Sequence, residues 1–101
     1  MIDVGNSTIE TFSEHLNSKF QTHYGDSHKV ELELLSVNDV GSTPRQIQFS
    51  LVFLAPETAP LWQGIYTIDH PKLGTFNLFL VPIGKDKQGV QYEAIINRPV
   101  D

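Results

Sequence analysis

Four histidines, His15, His23, His28 and His70, are the side chains of this sequence best suited to metal or proton chemistry. Zinc sites take three or four ligands, often with a close pair among them. His23 and His28 flank Gly25-Asp26-Ser27 and would approach each other across a turn, but Asp26 is the only further ligand type beside them. That set falls short of a site, so solvated or capping histidines are expected, with no metal and no cofactor. Glu93 and Arg98 share the last apolar run with Tyr92 and Asn97. Glu93 would form an acid–base pair with His70 only if folding brought the two together; the plainer expectation is that Glu93 or Arg98 pairs with another strand. No nucleophile motif accompanies them. Gly41-Ser42-Thr43 lacks the Gly-x-Ser-x-Gly elbow, and no glycine-rich loop precedes a helix. Trp62 and Gln63 close a proline-bearing stretch; Trp62 is read either as an aromatic anchor for a partner or as a plug in the core. Trp62, Gln63, His70, Glu93 and Arg98 are thus the candidate binding residues, and no residue is expected to be catalytic.

The elements that must position these residues are mostly strands. Ser7-Thr8-Ile9-Glu10 fits a capping box, and Ile9, Phe12 and Leu16 recur at helical spacing, which predicts a helix over residues 8–16. A second capping match, Thr11-Phe12-Ser13-Glu14, allows a later start. Residues 19–24 alternate and predict a strand. Val30, Leu32 and Leu34 alternate with Glu31 and Glu33, the pattern of a half-buried strand. After a loop over 38–44, Ile47, Phe49, Leu51 and Phe53 form the next inward row, with Gln48, Ser50 and Val52 opposite. Further strands are predicted over 65–68, 76–81 and 90–97. They are separated by the proline-bearing stretch 55–60, the turn His70-Pro71-Lys72-Leu73-Gly74 and the charged loop 85–89. Pro82 and Gly84 are expected to turn the fifth strand off the sheet, since proline cannot donate to a ladder. One short helix and six strands joined by short loops imply an antiparallel meander that closes into a small barrel or curls strongly.

The composition narrows the functional classes. A chain of 101 residues is read as one domain spanning 1–101, with 1–6 a loose lead-in. There is no cysteine, which excludes disulfides and thiolate chemistry. Together with an N-terminus that lacks the charged and apolar regions of a signal peptide, this points to a cytoplasmic protein. No apolar stretch approaches the roughly 20 residues of a membrane span. The net charge is −5 and only Lys85 and Lys87 lie close together, so no basic stripe exists for nucleic acid.

Four segments together carry a resemblance: Pro60-Leu61-Trp62-Gln63-Gly64-Ile65-Tyr66, the turn His70-Pro71-Lys72-Leu73-Gly74, the strand Leu78-Phe79-Leu80-Val81-Pro82-Ile83-Gly84, and the closing Tyr92-Glu93-Ala94 with Asn97-Arg98. In this order they resemble a small bacterial family, the domain of unknown function DUF6916; the segment around Phe12 and Glu31-Leu32-Glu33-Leu34 is similar as well. The resemblance implies no catalytic residue, and it implies an association with phage-tail-like or surface-associated components. The functional expectation is a non-enzymatic structural or interaction module with a protein partner, its contact surface the loop 56–63 and a neighbouring sheet edge. The alternative is a small-ligand-binding barrel lined by Phe49, Phe53, Tyr66, Phe76 and Tyr92.

Overall fold

Alternating apolar side chains bury only one face of a strand, and strands with one apolar face are satisfied by wrapping that face around a common core. The computed structural model describes residues 9–24, 28–59, 61 and 63–99, with the backbone alone for 23, 24, 28, 98 and 99. Helix α1 (Ile9–Ser13) is followed by β1 (Lys19–Tyr24), β2 (His28–Asp39), β3 (Gln46–Ala55), β4 (Gly64–His70), β5 (Gly74–Asp86) and β6 (Gly89–Pro99). The strands are antiparallel and close into a barrel in the order β1-β2-β3-β6-β5-β4.

The six-stranded antiparallel barrel with one short helix is the expected architecture. Its order around the ring differs from a single serial meander: β3 pairs with β6, and β4 pairs back to β1. The reason lies in the connection 56–63, which is too long for a hairpin and carries Pro56 and Pro60, so β4 is not delivered beside β3. The result is two three-stranded meanders, β1-β2-β3 and β4-β5-β6, with the same connectivity although the sequence shows no repeat.

Each meander has one long, bent strand. β2 pairs with β1 through 28–33 and with β3 from Glu33 onwards, with a register shift between Leu34 and Ser36. β5 pairs with β4 through 74–80 and with β6 through 81–86, with a register shift between Pro82 and Gly84. An extra residue on one strand bends it and raises its twist, so these two strands turn the corners of the barrel. Pro82 therefore does not turn the chain off the sheet, as the sequence suggested. It sits at the bulge, beyond the last β4 pair Gly64↔Leu80, where a missing N–H interrupts no ladder on that side. The stretch 85–89 is likewise a tight hairpin rather than an open loop. Asp86 pairs with Gly89, and the Asp86 carboxylate accepts the Gln88 N–H at 2.8 Å.

Two other boundaries move. β2 runs to Asp39, whose carboxylate accepts the N–H groups of Gly41 and Ser42 at 2.9 Å and so closes the following loop. The hydrogen bonds to Ser42 first, then to Gly41, hold its pKa below the usual carboxylate value. The helix ends at Ser13, short of residue 16, because the chain tightens and then reverses at Asn17, where φ is +65°. Asparagine tolerates this left-handed conformation. The Asn17 N–H is given to the Leu34 carbonyl at 2.8 Å, which ties the helix exit to β2. The proposed Ser7 cap lies outside the described residues.

Val30, Leu32 and Leu34 of β2 and Phe49, Leu51 and Phe53 of β3 are buried in one core, and Ile47 packs against it. Ser50, expected on the outward side, is buried too. Phe12 fills the ring between Phe49 (centroids 6.0 Å apart) and Phe76 (6.1 Å). Tyr66 and Tyr92 meet edge to face at 5.8 Å; burial, and then the neighbouring Tyr92, raises the Tyr66 pKa. The interior is thus occupied by its own side chains, as expected of so narrow a barrel.

Candidate functional site

Of the sequence-derived candidates, His70 has the most developed surroundings. It ends β4, immediately before the Pro71–Leu73 turn. Proline presets the backbone for a turn, and the His70 ring completes it: Nδ1 accepts the backbone N–H groups of Lys72 (3.1 Å) and Leu73 (3.2 Å). On its other edge, Nε2 lies 3.1 Å from Ser18 Oγ, and Ser18 Oγ donates to the His15 carbonyl at 2.7 Å. The His70 ring also packs on Phe20 (4.4 Å) and meets the His15 ring edge to face (4.7 Å). One buried imidazole therefore joins the β4–β5 turn to the exit of the helix.

These contacts fix the tautomer. With Nδ1 accepting two N–H groups, the proton of the neutral ring is on Nε2, which donates to Ser18. A histidine that activates serine needs the opposite polarity, with Nε2 free to take the hydroxyl proton. Ser18 and His70 have the composition of a hydrolytic pair, but in this arrangement the serine hydroxyl points away, to a carbonyl. Burial, then the proximity of His15 and Lys72, lowers the His70 pKa.

Two neighbouring hollows of about 430 and 420 Å3 lie on the outside of the barrel around this residue. Both are bordered by Lys19, His70 and Pro71; Gln21 and Asp69 complete the first, and Glu14, His15 and Lys72 are among those lining the second. The Lys19 ammonium is held by Glu33 (3.0 Å) and Glu31 (3.6 Å), and the hydrogen bond to Glu33 is the main reason its pKa is raised. The central polar groups of the hollows are thus engaged with the protein itself. Among the described residues, no group of three or more potential ligands is placed to hold a metal ion.

The fold does not bring Glu93 to His70. His70 is level with Gly74 on β5, whereas Glu93 is level with Val81, on the order of 20 Å further along the strand. Glu93 is half-buried on the outer side of β6 and makes no ion pair among the described residues. Gln63 is exposed just before β4. Arg98 is placed on β6 opposite Ile47 by its backbone. The alternatives for Trp62 fall on a residue outside the described set, as does Asp26; the side chains of His23 and His28 are outside it as well.

The sequence reading missed a different feature. Seven large hydrophobic residues are exposed among those described, and five of them, Leu61, Ile65, Phe79, Ile83 and Ile95, lie on β4, β5, β6 or the lead-in to β4. Ile65 and Phe79 are direct cross-strand partners. Ile95 is exposed on the neighbouring β6, two residues beyond Val81↔Glu93, where the β5–β6 ladder ends. The signal was in the sequence. In Phe76–Val81 the inward residues are Phe76, Leu78 and Leu80, yet of the outward ones, Asn77, Phe79 and Val81, only Asn77 is polar.

The class defined by this geometry is a small closed β-barrel with a filled interior, a histidine-locked turn and an uncharged apolar stripe on its outer wall. The chain belongs to the family described as a domain of unknown function, DUF6916, whose family model matches residues 7–96. No curated protein and no solved structure matches it. Among the described residues, no helix is long and apolar enough to cross a membrane.

The His70 network makes acid a specific stress. A histidine whose folded pKa lies below its unfolded value binds its proton more readily in the unfolded chain. Its contribution is therefore complete above about pH 6.5, the unperturbed value, and is lost as the pH falls below that. Unfolding free energy measured with urea is expected to drop between about pH 7.5 and about pH 5.5. In His70→Asn, Oδ1 replaces Nδ1 as the acceptor and cannot be protonated, so the drop should be visibly smaller. Equal pH profiles for the two proteins would show that His70 is not the group responsible.

Proposed function

We propose that this protein is a non-enzymatic structural or interaction module that meets its protein partner through the outer wall of β4, β5 and β6. The carrying observation is the exposed cross-strand pair Ile65 and Phe79 (69% and 54%) with Ile95 (51%) on the adjacent strand and Leu61 and Ile83 exposed on the same three-strand wall. Single exposed apolar residues are ordinary, but contiguous ones mark interaction surfaces. Of the sequence-based surface, loop 56–63 borders this wall through Leu61, whereas the neighbouring sheet edge is taken up by closure of the barrel. Lack of charge over 74–84 favours the same use, because charged residues are depleted at the core of protein interfaces. The polarity of the Ser18–His70 pair, unsuited to activating the serine, and the side-chain-filled interior weigh for this reading over a hydrolase or a ligand-binding barrel. Membership of a phage-tail-like or surface-associated assembly, in a bacterial cytoplasm before incorporation, is the finer part of the proposal, and the sequence resemblance is its support.

The test is capture by the tagged chain from extracts of its native organism. A protein that co-purifies with the wild type is expected to be lost with Phe79→Glu, while the melting temperature stays within a few degrees, since substitutions at exposed positions change stability little. Equal capture by both proteins would place the contact elsewhere. Absence of any partner, this chain included, would remove the interaction reading.

A further inference from the structure

We infer that the partner on the β4–β5–β6 wall is a second copy of this chain, so that the protein is a two-fold dimer packed wall to wall. The inference rests on the interaction reading above and names its partner. Its basis is self-complementarity. A two-fold interface brings the same patch together with itself, so every residue must tolerate its symmetry mate. Ile65 and Phe79 pair across β4 and β5, and Ile95 is exposed on the adjacent β6, aliphatic on each side of an aromatic. A two-fold axis lying in the interface through Phe79, parallel or perpendicular to the line of these three residues, sets Phe79 on its own copy and isoleucine on isoleucine. This is the face-to-face packing of two sheets.

Charge selects the same face. Each copy carries a net charge of −5, so two copies repel unless they meet where charge is absent. The opposite wall carries Lys19, Lys29, Glu31 and Glu33, with Lys19 bridging both glutamates. From Gly74 to Gly84 there is no charged residue; the facing strands carry Asp69 and Glu93, both half-buried, and Arg98 near the end of β6. Thr75 donates a hydrogen bond to the Asp69 carboxylate at 2.6 Å, which satisfies one of them. A charged partner would find little to pair with here; an uncharged apolar face would match.

The area suffices. At roughly 180–210 Å2 for each fully exposed side chain, Leu61, Ile65, Phe79, Ile83 and Ile95 offer roughly 500 Å2 at their observed exposures. With the bordering exposed Thr67, Asn77 and Asn97, the wall approaches the roughly 800 Å2 per partner of a stable interface.

Sedimentation velocity of the whole chain over a hundredfold range of concentration tests this. The wild type is expected to shift towards twice the 11.4 kDa monomer mass as concentration rises, and Phe79→Glu to remain at the monomer mass throughout. Should Phe79→Glu fail to fold, Ile65→Lys with Ile95→Lys provides the same readout from the two neighbouring strands. A wild type that stays monomeric at every concentration overturns the dimer. So does a dimer that survives these substitutions, since it would use another face. The interaction reading itself would outlive the first result if a different protein were captured from extracts in a Phe79-dependent way, and would fall with it if nothing were.

Discussion

Gly89→Ala is expected to leave much of the protein unfolded. A Cβ on Gly89 would lie 1.9 Å from the carbonyl oxygen of Ala55 and 3.1 Å from its carbonyl carbon, with Leu54 Cδ1 at 3.3 Å. The first two are backbone atoms, anchored where Ala55 pairs with Val90 at the end of the β3–β6 ladder. They cannot swing aside as a side-chain tip would. The residue also has φ +142°, a conformation that costs an alanine further strain. Strain and overpacking together amount to roughly 3–5 kcal/mol, against a total stability for small domains of about 5–15 kcal/mol. The measurement is a urea or thermal melt beside Gly84→Ala, where an added Cβ meets nothing within 4 Å. Gly84→Ala should change stability by less than about 1 kcal/mol. Similar melts for the two variants would mean that the 86–89 hairpin does not press against β3 as described.

Phe49→Ala is expected to cost roughly 3–5 kcal/mol, the usual range for removing a buried phenylalanine. Phe49 is wholly buried on β3, between Asp39 of β2 and Ile96 of β6, and its ring faces Phe12. Its loss removes the floor on which the five-residue helix rests. A helix this short has no independent stability and persists only through packing, so the cost should include loosening of α1 as well as the cavity. Denaturant unfolding gives the magnitude. A loss below about 1 kcal/mol would mean that the alternation of β3 runs the other way, because a one-residue slip exchanges the two faces of a strand.

Much of the candidate site could be read from residue types alone. His70-Pro71-Lys72-Leu73-Gly74 announced a turn, and a capping role for histidine was the plainer reading of its chemistry. What the ring caps with its other nitrogen could not be read. Ser18 and His15 lie more than fifty positions away along the chain, and no local pattern links them to residue 70. Glu93 and His70 were separable only once the β4–β5 and β5–β6 registers were known. The outward apolar face was half legible: Phe79 stands out in its own strand, but its pairing with Ile65 is a property of the β4–β5 ladder, and Ile95 comes onto the same wall through the order of strands round the ring.

The sequence by itself determined the strands, their inward faces and their antiparallel pairing, because a period of two is a local consequence of the pleat and needs no knowledge of neighbours. It also determined the turn at 71–73, where proline and glycine act within a few residues. Only the tertiary structure decided that β3 lies against β6 and β4 against β1, that β2 and β5 bend at bulges instead of ending, and that the helix stops at Ser13. Each of these depends on which backbone groups are left unpaired after the local ladders form. The Leu34 carbonyl takes the Asn17 N–H, the Ala55 carbonyl leaves space only for a glycine at 89, and Pro82 continues its strand where no partner requires its N–H. Such pairings join distant parts of the chain, so they are settled when the ring closes and not before.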